Sequence, residues 1–109
     1  MTGRYGGGDF TDRVEIQQPT LAADGQGGRL TTWETLATVW AQVEPLSGRE
    51  LLMAQAAQSQ VTYRVSMPHR PDVTPAMRLM WRTKTLEILA VLQEAAPAWW
   101  LLLECAERA

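Results

Sequence analysis

The 109 residues predict a mostly β fold, a small antiparallel β-barrel of about six strands with one short α-helix and a long glycine-containing hairpin loop. Three observations carry this expectation. Apolar and polar residues alternate over short stretches: Val39, Ala41 and Val43 interleave with Thr38, Trp40 and Gln42, the period of a strand whose two faces are used differently. Glycines and prolines punctuate the chain between such stretches. A helix-start signal follows Pro45, with Ser47 placed so that its hydroxyl accepts from the Glu50 amide while the Glu50 carboxylate reaches back. A sandwich of the same strands is the alternative arrangement. The length suffices for one core and is too short for two.

Residues 1–9, with consecutive glycines at 6, 7 and 8, read as a flexible N-terminal arm, because ordering glycine costs the most backbone entropy. Residues 10–109 are expected to form a single domain. The first strand runs from Arg13 to Gln18, with Val14 and Ile16 on one face, and Pro19 is expected to end it. Residues 22–29, AADGQGGR, form the hairpin loop, and the second strand begins near Thr31. Pro45 stops that strand by removing a backbone donor. The capped helix is expected from Gly48 to about Gln58. Next, Val61, Tyr63, Val65 and Met67 point one way, and Thr62, Arg64 and Ser66 the other.

PHRPDVTP, with its three prolines, must be an irregular connection. Met77, Leu79 and Trp81 then alternate with Arg78, Met80 and Arg82, and RTKT is a polar turn lacking the glycine that tight hairpin turns prefer. Leu86 to Leu92 and Trp99 to Cys105 are the last two strands. Helix is the alternative for residues 86–94, since leucine and alanine favour it.

Ten basic and twelve acidic residues give a net charge of −2, which argues against a protein built to grip nucleic-acid phosphates. Cys105 is the single cysteine, so an internal disulfide and a cysteine zinc site are excluded, and its expected place is buried in the last strand. The first ten residues are glycine-rich rather than apolar, unlike a secretory signal. The apolar runs at 88–92 and 98–103 are far below the roughly 20 residues that span a bilayer, so no membrane partner is expected.

Chemistry is sparse. His69, the single histidine, stands between prolines in a loop without a nearby cysteine or carboxylate cluster. Neither glycine group is followed by the lysine and hydroxyl of a phosphate loop. No catalytic, metal or cofactor-binding residue is therefore predicted, and the protein is read as non-enzymatic. The arginines have two readings, a solvated exterior or a contact surface where guanidinium groups meet carboxylates. Candidate interface positions are Asp24, Arg29, Trp40, Arg64, Arg70 and Arg78.

Five tryptophans are many for this length. Trp81 and one of Trp99 and Trp100 should fill the core, since neighbours on a strand face opposite sides. Trp40, Leu89, Val91 and Leu102 fall on the second faces of their strands, which favours cover by other subunits. The segment GRELLMAQAAQSQ has no charge after Glu50 until Arg64. Leu52, Met53, Ala56 and Ala57 make a narrow apolar stripe, read either as a plug for one barrel end or as an element packing on copies or a neighbouring ring.

The ordered set DRVEIQQP, DGQGG, TWETLATVWAQVEPLSGRELLMA, VTYRVSM, RPDVTPAMRLMW and WWLLLEC resembles the head–tail joining, head-completion or stopper, proteins of long-tailed bacteriophages and gene-transfer-agent-like particles. The resemblance runs from about Asp12 to Glu107, with the TW to VEPLSGRE block and the later PAMR its most specific parts. It implies a small barrel with a short helix, assembled as a homo-oligomeric ring beneath the portal or adaptor ring of the virion's head-to-tail connector. Such a ring retains packaged double-stranded DNA and docks the tail terminator or tail tube, after assembly in the bacterial cytoplasm.

The segment matching the family's gating or portal-facing element falls on about Ser47 to Gln60, with Ser47, Gly48, Arg49, Glu50, Leu52, Met53, Gln55 and Gln58 as its site residues. Pro68 and His69 depart from the arginine and aromatic common there, and the hairpin glycine is missing at residues 82–85. The alternatives are another connector component (adaptor or tail terminator) or a stand-alone small-barrel module binding peptide or nucleic acid.

Overall fold

Among the described residues every strand pairing is antiparallel, and the six strands close on themselves in the order β1-β2-β3-β6-β5-β4. The computed structural model describes residues 10–23, 25–93 and 100–108; the expected arm at residues 1–9, Asp24 and Trp99 lie outside these. The elements are β1 (Asp12–Ala23), β2 (Arg29–Pro45), α1 (Gly48–Ala56), β3 (Tyr63–Pro68), β4 (Arg78–Trp81), β5 (Lys84–Gln93) and β6 (Trp100–Arg108). The barrel is thus the predicted one, and residues 86–92 are strand rather than helix.

Alternation puts Val14, Ile16, Val65, Met67, Leu79, Leu86, Ile88, Leu103 and Cys105 in the barrel interior, all but removed from water. Burying a side chain of this size contributes about 1.5–3 kcal/mol, so this set is the main source of stability. Tyr63 and Trp81 meet edge to face at 5.9 Å, and both pack partly buried against the core. Trp81 therefore does fill core space as expected. Trp100 is buried at 3% exposure yet stands outside the core cluster. It shares its strand face with Leu102 and Glu104, opposite the core-lining Leu101 and Leu103. Ser66, expected on an outer polar face, is also buried there, level with Gln42 and Leu102 on the adjacent strands.

The first strand does not stop at Pro19. β1 continues to Ala23, with Pro19 opposite Trp33. β4 covers β1 only from Val14 to Gln17, so beyond that point β1 is an edge strand of a projecting two-stranded ribbon, where a missing N–H is tolerated. The second strand correspondingly starts at Arg29, and the turn at residues 25–28 uses Gly25 and Gly27 at positive φ of 80 and 87.

Two bulges change which residues face inward. Between Ile16 and Gln17 the register steps from Ala37 to Thr35, leaving Leu36 as the extra residue; it packs on the core. Between Ile88 and Ala90 the partners step from Cys105 to Glu104, leaving Leu89 unpaired. An added residue reverses the face of everything beyond it. Val91, assigned by strict alternation to the outer face, therefore packs on the core, and Leu92 is 42% exposed instead.

The polar turn after β4 is a two-residue connection, because Trp81 pairs with Lys84. Arg82 takes the left-handed conformation, φ 57, that glycine would ordinarily supply. Lys84 then pairs with Glu107 at 3.0 Å, and the Arg108 guanidinium is ion-paired with Glu87. Both contacts tie the ends of β5 and β6 together across the same ladder.

Candidate functional site

α1 lies outside the barrel and none of its residues is buried. The helix ends at Ala56, short of the Gln58 expected, in a Schellman motif. The Ser59 amide donates to the Ala54 carbonyl at 2.8 Å and the Gln58 amide to the Gln55 carbonyl at 3.0 Å. Gln58 occupies the left-handed position at φ 60, where the chain turns away and cannot add another helical residue.

The start is equally defined. Ser47 is extended (φ −66, ψ 163) and its Oγ accepts from the Glu50 amide at 3.1 Å. Glu50 Oε1 accepts from the Ser47 amide at 3.1 Å, completing the predicted capping box. The second carboxylate oxygen, Oε2, takes the Arg64 guanidinium of β3 at 2.6 Å. Arg64, then the Ser47 amide, hold the Glu50 carboxyl well below its usual range, at about 2. One side chain thus starts the helix and fastens it to the barrel.

Little else does. Leu52 and Met53 are 68% and 64% exposed, so the plug reading of this helix does not hold: none of its apolar residues is buried in a barrel end. Beneath it remains an open groove of about 480 Å³ between Met53 and Ala54 on one side and Val61, Arg64 and Glu104 on the other. The connections into and out of the helix are firmer. The Leu46 amide donates to the Thr62 carbonyl at 3.0 Å, and the Thr62 amide to the Cys105 carbonyl at 2.8 Å. Gly48, Arg49 and Gln55 are exposed along the same segment.

The structure separates the candidate interface residues. Arg78 and Trp40 share one outer face, and the β1–β2 register carries Arg29 onto the same face of the projecting ribbon. Arg64 belongs to the far side of the barrel with α1. Arg70 is turned onto Asp72 within the β3–β4 loop, at 2.9 Å, and depresses the Asp72 pKa. His69 is exposed beside it.

Sequence reasoning missed the aromatic partners. Arg13 lies 4.6 Å over the Trp40 ring, Arg78 lies 4.2 Å over Trp33, and Arg82 lies 4.7 Å over Trp81. The first two depend on strand register, which residue spacing alone does not reveal. It also missed Leu21 and Leu30, both exposed on the ribbon. Cys105 is buried as expected, and burial pushes its thiol up to about 12. Among the described residues no three His, Cys, Asp or Glu side chains gather as a metal site, and no helix is long and apolar enough to cross a membrane.

The family model described as phage head completion protein matches residues 6–108. The chain belongs to the phage head completion protein family. The resemblance read from the sequence points to the same family. Two relatives bear the family's name. Head completion protein gp16 of Bacillus phage SPP1 is 27% identical over 81 residues, 74% of each chain. Head completion protein gp7 of Enterobacteria phage HK97 is 36% identical over 72 residues, 66% of this chain and 64% of the relative.

Among solved structures, protein SF1141 from Shigella flexneri 2a superposes with a TM-score of 0.75 at 30% identity, covering 92% of this chain and 94% of the other. A chain in the virion of a native gene transfer agent particle superposes with a TM-score of 0.58 at 20% identity, covering 88% and 93%. At that identity the second likeness is one of fold.

Proposed function

We propose that this head completion family member is a non-enzymatic virion protein of the head-to-tail connector, acting as a ring that closes the filled head and docks the tail. The observation that carries the reading is the family match across residues 6–108. In this reading the protein joins the virion during assembly in the bacterial cytoplasm. A portal or adaptor ring lies on its head side and a tail terminator or tail tube on its other side. Packaged double-stranded DNA passes through the channel, and a net charge of −2 suits that passage, since dense phosphate contacts would retard exit.

The portal-facing element is the segment from Ser47 to Gln60. A helix without buried residues, fastened chiefly by the Glu50–Arg64 pair, can leave its seat at small cost, because solvent screens an exposed ion pair. Leu52, Met53, Gln55 and Gln58 are then the side chains offered to a neighbouring ring. Immunogold labelling of purified particles tests the assignment. Label at the neck between head and tail is expected; label on the tail tip, or none on particles, would refute it.

A further inference from the structure

Two sides of this barrel present different groups to solvent. β1 and β4 are neighbours in the closed strand order, and β6 and β3 lie across from them. On the first side, Arg13 and Arg78 face outward beside Glu15, whose carboxylate takes the Gln17 amide at 2.8 Å. Among the described residues neither arginine has an ion-pair partner. Each instead lies over an indole, and Trp40 is left 52% exposed.

The second side presents carboxylates. Glu44, Arg64 and Glu104 stand side by side across β2, β3 and β6. Glu50 reaches the same guanidinium from α1. The groove next to Glu104 is lined by Leu46, Met53, Ala54 and Val61. One side therefore offers cations backed by tryptophan, and the other offers carboxylates beside an apolar groove. Cations and carboxylates on two such faces are complementary, as steering and register demand, and tryptophan and arginine are among the residues enriched at contact centres. Arg13 on β1 and Glu104 on β6 lie on strands across the barrel from each other, so they cannot pair within a chain.

We propose that the outer face carrying Arg13 and Arg78, flanked by Trp40 of β2, docks on the α1–β3–β6 face carrying Glu104 of a second copy. The contact is heterologous, with different patches meeting, so that repetition continues beyond a dimer, and the connector reading requires the rotation between copies to close it into a ring. It rests on the connector reading and adds which surfaces form the ring.

The test uses particles assembled with the Arg13→Cys/Glu104→Cys chain and a short bismaleimide, read on a denaturing gel; the native Cys105, being buried, is spared. A ladder beyond dimer for the double variant, with neither single variant linking, is the expected result. Dimer from a single-cysteine variant would replace the head-to-tail contact with a two-fold one and overturn the proposal. Protein present in the particles without a ladder would overturn the contact and leave the connector role standing. Absence of the unaltered protein from particles would overturn both.

Charge exchange gives an independent reading. Arg13→Glu or Glu104→Arg alone should lower incorporation about tenfold with melting unchanged, and the pair should restore it. Additive losses in the pair would refute the contact.

Discussion

Glu50 and Arg64, fourteen residues apart, meet at 2.6 Å, and the same carboxylate accepts the backbone N–H of Ser47. Helix initiation and helix attachment therefore depend on one group. Replacing it affects both, whereas replacing Arg64 affects attachment alone. Glu50→Gln should strip hydrogen-exchange protection from the amides of Leu51 and Ala57, which donate within this segment, and leave β5 and β6 protected. Arg64→Met should loosen the helix from the barrel and keep its cap. Equal protection loss in the barrel strands would show that the pair supports the whole fold instead.

Acid should reproduce the first of these variants. The Glu50 carboxyl titrates at about 2 in place of 4.5, so the folded state favours its ionised form. Its contribution is fully present above pH 4.5 and is lost as pH falls from 4.5 through about 2. NMR of the α1 amides should show detachment over that window with the barrel signals retained. A helix indifferent to pH across it would contradict the assigned role of the carboxylate.

The two helix ends give opposite signs. Ser47→Ala removes the hydroxyl that accepts from Glu50 and should cost about 1 kcal/mol. Gln58→Gly should stabilise the same segment by about 0.5–1 kcal/mol, because glycine takes the left-handed position without a Cβ penalty. Local exchange rates in α1 measure both. Destabilisation by Gln58→Gly would mean that its side chain contributes more than its backbone costs.

The bulge at Leu89 makes a prediction that strict alternation reverses. Val91 packs on the core and Leu92 is exposed. Val91→Thr should therefore cost about 1–3 kcal/mol by burying a hydroxyl, and Leu92→Thr about 0.5 kcal/mol or less. Urea midpoints of the two variants decide the order, and the reverse order would place the bulge elsewhere.

That contrast marks how far the chain could be read. The strands, the Ser47–Glu50 cap and the burial of Cys105 follow from local pattern, because period, proline and side-chain polarity act on neighbouring residues. The bulges do not, since neither Leu36 nor Leu89 is a glycine and each inserts without a local mark. Pro19 was misread for a related reason. Whether proline ends a strand depends on whether the far edge is covered, and β4, some sixty residues later, stops at the partner of Gln17 (Arg78 is 61 residues from it). At the candidate site, Ser47 and Glu50 were legible as a cap. The Arg64 contact and the Arg13–Trp40 stack needed the closed barrel to bring distant strands together.

The central claim, that this chain completes filled heads, is tested most directly by deleting its gene and examining the particles by electron microscopy with a nuclease-protection assay. The account predicts tailless heads that have lost their DNA alongside free tails, with both defects corrected by restoring the gene. Tailed, DNA-filled particles in the deletion would contradict it.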